Sequence, residues 1–188
     1  MKNTLTCTAL IYWALSAPLA AAQVPTKAEN HTSCSGIVTE MPARMYDFKM
    51  GKWDINWRNK SGLSTFSEFT AVSTVFSKMD GDILIDDQIA ETFKGITFRT
   101  YDAAKKEWVV RWLPAGSTFA PNISAKLENC VPVERHEQLA RGGIMAKVRT
   151  SFTNITADRF EFHQDWSLDE GETWTTDVLY YEALRQKD

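Results

Sequence analysis

Gly95-Ile96-Thr97-Phe98-Arg99-Thr100-Tyr101, Asp102-Ala103-Ala104-Lys105-Lys106 and Glu107-Trp108-Val109-Val110-Arg111-Trp112-Leu113 form the stretch that decides the fold. Both flanks are rich in β-branched and aromatic residues, and the polar joint between them has the length of a hairpin turn. Upstream, Trp53-Asp54-Ile55-Asn56-Trp57-Arg58 alternates apolar and polar residues, the pattern of a half-buried strand. Further strands are predicted at Phe66 to Phe69, Val72 to Phe76 and Ile83 to Ile89, with Met79-Asp80-Gly81-Asp82 as a turn. Downstream, Lys147 to Thr153 and Arg159 to Trp166 are joined through Asn154 to Asp158, and a last strand runs from Thr173 to about Leu184. Residues 114–143 show only short segments, interrupted by Pro114, Pro121, Pro132 and Gly142-Gly143. Short strands at hairpin spacing, with no internal repeat and no linker, predict an all-β fold. The expected architecture is an antiparallel up-and-down β-barrel of about 8–10 strands. A short helical turn is expected at Met41 to Phe48, with Pro42 near the first helical position.

Composition agrees with one folded domain. The chain has 188 residues, 44% apolar and 24% charged, which excludes wholesale disorder. A net charge of −3 spread along the chain argues against a nucleic-acid binder. Aromatic residues make up 12%, including seven Trp, as suits a β-rich core.

Residues 1–22 have the organisation of a cleavable secretory signal: Lys2, an apolar stretch from Ala9 to Leu15, and Ala20-Ala21-Ala22 before Gln23. The apolar stretch is too short for a spanning helix. The expected organisation is therefore a signal at 1–22, an N-terminal extension at 23–47 and a barrel domain at 48–188. Export, to a periplasm or the outside, makes a disulfide the default for the remaining pair, Cys34 and Cys130, two buried thiols being the alternative. Such a bridge stabilises by a nominal ~4–5 kcal/mol in the chain-entropy model. Asn30, Asn59, Asn122 and Asn154 stand in Asn-x-Ser/Thr triplets, acceptors for glycans only where the source cell has that machinery.

Gly51-Lys52-Trp53 resembles the Gly-x-Trp signature of lipocalins and related calycin barrels. In that family an Arg near the end of the last strand lies over the Trp, and Arg185 stands where the matching Arg belongs. A guanidinium over an indole gains about 0.5–2 kcal/mol. Phe48-x-x-Gly51-x-Trp53-x-x-x-Trp57-Arg58, Gly95-x-x-x-Arg99-x-Tyr101-Asp102 and Ser167-x-Asp169-x-Gly171-x-Thr173-Trp174 follow the order of the uncharacterised lipocalin-like proteins of the DUF1579 type. The resemblance covers about Phe48 to Arg185 and implies a barrel fold rather than an activity. Ser167 to Trp174 also resembles the Asp-box of sialidase-like propellers, where Ser, Asp, Gly and Trp are structural. Propellers repeat such a unit blade after blade and this chain has it once, so a hairpin device is expected.

For function, the reading is a small, largely apolar or aromatic molecule held inside the barrel. Trp57, Phe98, Trp112, Phe162 and Trp166 are the expected walls, and Arg99, Tyr101 and Gln164 the polar handles. A one-residue register error would turn all of these over. For Arg99 and Arg111 the alternative is the solvated outer face of a strand. His163 shares a face with Glu161 and Asp165, which could tune it as an acid–base group. Phe160, Phe162 and Trp166 are the better core candidates, so that polar face is expected outside. Catalytic candidates are thus confined to Arg99, Tyr101 and His163. His31 and His136 fall in segments expected to be loops. HxH and HExxH spacings, a CxxCH and a GxSxG elbow are absent, so neither a metal nor a cofactor is implied. Two alternatives remain open: a cofactor-free lyase, isomerase or cyclase in the same cavity, or an interaction module with a filled interior. A monomer or homodimer suits either.

Overall fold

The computed structural model describes residues 41–61, 65–140 and 142–187. The proposed signal, Cys34 and His31 lie outside them. Ten antiparallel strands close into a barrel in up-and-down order: β1 (Gly51–Lys60), β2 (Phe66–Lys78), β3 (Ile83–Ala90), β4 (Lys94–Asp102), β5 (Glu107–Pro114), β6 (Ile123–Glu128), β7 (Val131–Leu139), β8 (Met145–Thr153), β9 (Arg159–Ser167) and β10 (Thr175–Arg185). β1 pairs with β2 on one side and with β10 on the other, which leaves no free sheet edge. The decisive hairpin is present in register, with Arg99 opposite Val110 and Tyr101 opposite Trp108. The segment that resisted reading contains two strands, β6 and β7, joined by a tight turn at Asn129 and Cys130, both with positive φ.

Two 3-10 turns, Pro42–Arg44 and Asp47–Lys49, precede β1 and plug one end of the barrel. Met45, Tyr46 and Phe48 are buried there among Trp53, Trp108, Phe152 and Phe160. Tyr46 lies edge-on to Trp108 at 5.3 Å, and the Trp108 indole N–H donates to the Pro42 carbonyl at 2.8 Å. Among the described residues the core already includes Met45 and Tyr46. Among the described residues no helix is long and apolar enough to cross a membrane.

The first and last strands meet at this plug. Trp53 is opposite Arg185, whose guanidinium carbon stands 4.1 Å from the centre of the indole. The same guanidinium donates to the carbonyls of Met50 (2.7 Å), Phe48 (3.3 Å) and Ala157 (2.5 Å). Gly51 permits this approach: its φ is +111°, and a Cβ there would lie 2.6 Å from Arg185 Nη1. At the other end Ser167 and Asp169 organise the β9–β10 turn. The Ser167 hydroxyl donates to Asp169 and accepts from the Gly171 N–H, while Asp169 accepts from the Thr173 N–H. The Trp174 indole donates to the Gly171 carbonyl. The hydrogen bonds from Thr173 and Ser167 hold the Asp169 carboxyl down at about 2.

Gly51→Ala is expected to destabilise the barrel by about 1–3 kcal/mol, the cost of a strained φ, with loss of the Arg185 contact added. Urea unfolding should show an earlier midpoint at unchanged slope. An unchanged midpoint would show that barrel closure does not depend on this contact.

Candidate functional site

Alternation along each strand gives the barrel one inner face, and its middle layer is charged rather than apolar. Lys49, Asp86, Arg99 and Glu134 are each at most 5% exposed. Lys49 comes from the plug and rises between the rings of Phe152 and Phe160, its Nζ 4.7 and 4.8 Å from their centres. It meets Asp86 at 3.4 Å, and Asp86 also takes Arg99 at 3.2 Å and a 2.6 Å hydrogen bond from Ser73. Arg99 reaches Glu134 at 3.6 Å, and Glu134 accepts from the Tyr46 hydroxyl at 2.7 Å. Two cations thus face two anions in a buried layer, where removing one partner leaves the others with an unpaired buried charge.

Each group responds to that layer. Burial lowers Lys49 to about 8 despite the opposing pull of Asp86. Burial works against the Asp86 carboxylate, but Lys49 and Arg99 outweigh it and hold Asp86 below its ordinary range. Burial raises the Tyr46 and Tyr181 phenols well above 10.

Above the charged layer the interior opens into a cavity of about 350 Å³, towards the small end of the ~300–1,000 Å³ usual for ligand sites. Arg99 and Glu134 belong to its floor. Its walls include Trp57, Phe69, Phe93, Trp112, Phe162 and Tyr181, with Gln88, His136, Gln138 and Gln164 as polar members. Trp57 is the hub of the aromatic wall, with ring centres at 4.6 Å from Tyr181, 5.7 Å from Phe162 and 5.9 Å from Phe69. Gly95 makes room for Trp112, since a Cβ there would meet the indole at 2.3 Å. Trp57 Nε1, Asn59 Oδ1, Arg99 Nε and His136 Nδ1 are buried without a hydrogen-bond partner among the described residues, and all four residues line this cavity. The interior is therefore not filled by side chains.

Of the residues singled out in the sequence, Trp57, Arg99, Trp112, Phe162 and Gln164 meet in the cavity. Arg99 turns inward while Arg111 lies on the outer face, bonded to Asn122 at 2.6 Å. Three of the expected residues do not line the cavity. Phe98 faces out against Phe119 at 6.0 Å, because inward positions on β4 are the odd-numbered ones. Tyr101 does face in, but at the plugged end, packed on Trp108 at 5.6 Å. Trp166 is one step removed, donating its indole N–H to Gln164 at 3.0 Å. Asn59, one of the Asn-x-Ser/Thr triplets, lines the cavity from β1 with its carbonyl oxygen buried.

Sequence reasoning missed Lys49, Asp86, Gln88, Glu134, His136 and Gln138. His136 was expected in a loop, yet it lies on β7 with Glu134 and Gln138 on the cavity side. The inner face of β7 is polar, so its alternation runs opposite to the apolar-in pattern that reveals strands. On β3 the isoleucines likewise mislead: Ile89 is exposed, while Leu84, Asp86, Gln88 and Ala90 point inward. The polar residues of β3 form a continuous run, Asp86-Asp87-Gln88, which does not by itself show which of them point inward.

His163 lies outside the barrel, as the alternation of β9 indicates. Its Nδ1 is 2.8 Å from Asp177 and its Nε2 is 3.0 Å from the Thr153 hydroxyl. Asp177 is aimed by a bulge in β10 and has φ of +52°. Glu161 and Asp165 share this face, tied to Asn154 and Arg149 respectively. The network spans β8, β9 and β10 on the outer surface, the face of these strands opposite to the cavity. The chain matches no protein-family model and no curated protein.

The charged layer makes a pH prediction. Below pH 8 both folded and unfolded chains hold the Lys49 proton; between 8 and about 10.5 only the unfolded chain does. Stability contributed through Lys49 therefore rises with pH across that window, by at most ~1.4 kcal/mol per pH unit. Above pH 10 Tyr46 and Tyr181 act oppositely, since their phenols ionise only on unfolding. Chemical denaturation of wild type and Lys49→Met from pH 7 to 10 should show the rise in wild type alone. Parallel curves would show that the Lys49 pKa is not lowered in the folded chain.

Proposed function

We propose that this chain is a binding barrel for a small, largely apolar molecule held in the upper half of its interior. The observation that carries this reading is an aromatic-walled cavity of about 350 Å³ whose lining also includes Gln88, Arg99 and Gln164. Ligand sites are concave and mostly apolar, with a few polar groups that fix orientation, and the lining of this cavity has that composition. Trp57, Trp112 and Phe162 act as walls, Arg99 and Gln164 as polar handles.

The proposal extends to the chain's class and location. The Gly51, Trp53 and Arg185 arrangement supports membership of the lipocalin-like calycins, and the composition of residues 1–22 supports export to a periplasm or beyond. A Cys34–Cys130 disulfide fits this picture. Cys130 lies in a turn at the plugged end, where the chain enters the barrel at Met41 shortly after Cys34. A cofactor-free enzyme on the same scaffold is favoured by one observation: His136, Glu134 and Arg99, an acid–base set, line one cavity.

Titration with fatty acids, terpenoids and aromatic compounds, read by tryptophan fluorescence and thermal shift, tests the reading. A true ligand should quench Trp57 and Trp112 and stabilise the fold by about 2.7 kcal/mol at a hundredfold excess over its Kd. Ala120→Trp, at the cavity wall, should abolish both effects while leaving the fold intact. Absence of any response across the three classes rejects the proposal. Turnover of a bound compound, lost in His136→Gln with binding retained, would favour the enzyme.

A further inference from the structure

The barrel wall is weakest where β6 stops short. β4 and β5 pair along their whole length, from Gly95 opposite Pro114 to Asp102 opposite Glu107. β5 and β6 pair only at Trp108, Val109 and Val110, because β6 begins at Ile123. Every other pair of neighbouring strands forms a longer ladder. Beyond Ile123, β5 continues to Pro114 and β7 to Leu139, both towards the open end. Residues 115–122 stand there in place of a strand. Pro114 and Pro121 lack the N–H that a ladder needs, and Gly116 turns the segment with φ of +78°. This segment closes the cavity yet is lightly held. Ala120 lines the cavity together with Trp112, His136 and Gln138. Its N–H donates to the Trp112 carbonyl at 2.8 Å, the one backbone hydrogen bond between residues 118–122 and the barrel among the described residues. On the outside, Phe119 rests on Phe98 at 6.0 Å and beneath the Arg111 guanidinium at 4.9 Å, and Arg111 donates to Asn122 at 2.6 Å. Phe119 is still 47% exposed, so little burial opposes its release. Few buried contacts and exposed hydrogen bonds mark the segments of a fold that open first.

We propose that residues 115–122 form a strap that opens the wall between β5 and β7 for a ligand to pass, with Phe119 as the latch that holds it shut on Phe98 and Arg111. The proposal rests on the interior-binding reading above and adds the route by which the cavity fills and empties. Swinging the strap outward breaks the Ala120–Trp112 bond, the Arg111–Asn122 bond and the Phe119 contacts, and leaves every strand ladder intact. Gly116 supplies a pivot with open space around it. The other boundaries are firmer. The ion layer is the floor, and Phe93, from the β3–β4 turn, packs edge-on to Trp57, Phe69 and Trp112 at 6.0, 5.8 and 6.3 Å. A ligand that passes only through the open form enters and leaves faster when the open fraction rises. Its affinity is then unchanged while the closed form dominates.

The test is stopped-flow binding of 1-aminoanthracene, a neutral and largely apolar fluorescent probe, to the full chain. Phe119→Ala should raise the association and dissociation rates about tenfold each and leave Kd within about twofold. Phe119→Tyr, which keeps a ring against Phe98 and Arg111, should retain the wild-type rates. Unchanged rates in Phe119→Ala, or a weaker Kd at an unchanged association rate, overturn the strap as the route. Amide hydrogen exchange of the wild type is a second readout that needs neither a variant nor a ligand, and it decides alone should Phe119→Ala fail to fold. The Ala120 N–H should be protected about a hundredfold less than the laddered amides of β4 and β5. Protection equal to theirs shows that the strap stays shut and overturns the proposal. Absence of probe binding removes the interior-binding reading and the passage with it, while exchange at Ala120 still reports whether the strap opens.

Discussion

The ion layer at mid-barrel is the constraint on which the rest of the interior depends. Lys49, Asp86, Arg99 and Glu134 come from the plug, β3, β4 and β7, so their pairing requires distant parts of the chain to be in place at once. Burying four ionised groups is expensive, and such a layer is weak evidence for stability in itself. Its effect is geometric. Below it, Tyr46, Phe48, Trp53, Phe152 and Phe160 pack into an aromatic plug. Above it, side chains stop short of filling the space, and the cavity remains.

Closure at the base makes that layer possible. The plug reaches the axis because β1 begins at Gly51, whose backbone admits the Arg185 guanidinium against the Met50 and Phe48 carbonyls. First and last strands are thereby fastened where Lys49 enters. Trp53 links the two, its indole N–H donating to the Lys49 carbonyl at 2.7 Å while its face receives Arg185. A structural motif at the barrel's foot thus sets the position of a charged group in its centre. The wall of the cavity depends on similar economy of space, with Gly95 clearing the path for Trp112.

Much of the fold was legible because strand alternation and turn chemistry are local. The 95–113 hairpin, the Trp53 and Arg185 pairing and the Ser167–Trp174 turn are all found where the residues indicate. The site was legible in part. Trp57, Arg99, Trp112, Phe162 and Gln164 follow from patterns in which apolar residues mark the inner face. That assumption fails on β7 and β3, where the inner face is polar, and with it His136, Glu134, Gln138 and Asp86 disappear from view. Phe98 fails for the opposite reason, an aromatic residue that a neighbouring loop residue, Phe119, covers from outside.

The sequence alone determined that this is an antiparallel all-β chain closing first strand to last, since each of those statements depends on spacing within a few residues or on two terminal motifs. Only the tertiary structure decided that the barrel is half plugged and half open, and that charges rather than aromatics mark the boundary. Such outcomes depend on which of two faces ten strands present to a common axis. That choice is made jointly by closure, because turning one strand over would bury its polar row against its neighbours' aromatic ones. No strand carries it in its own residues.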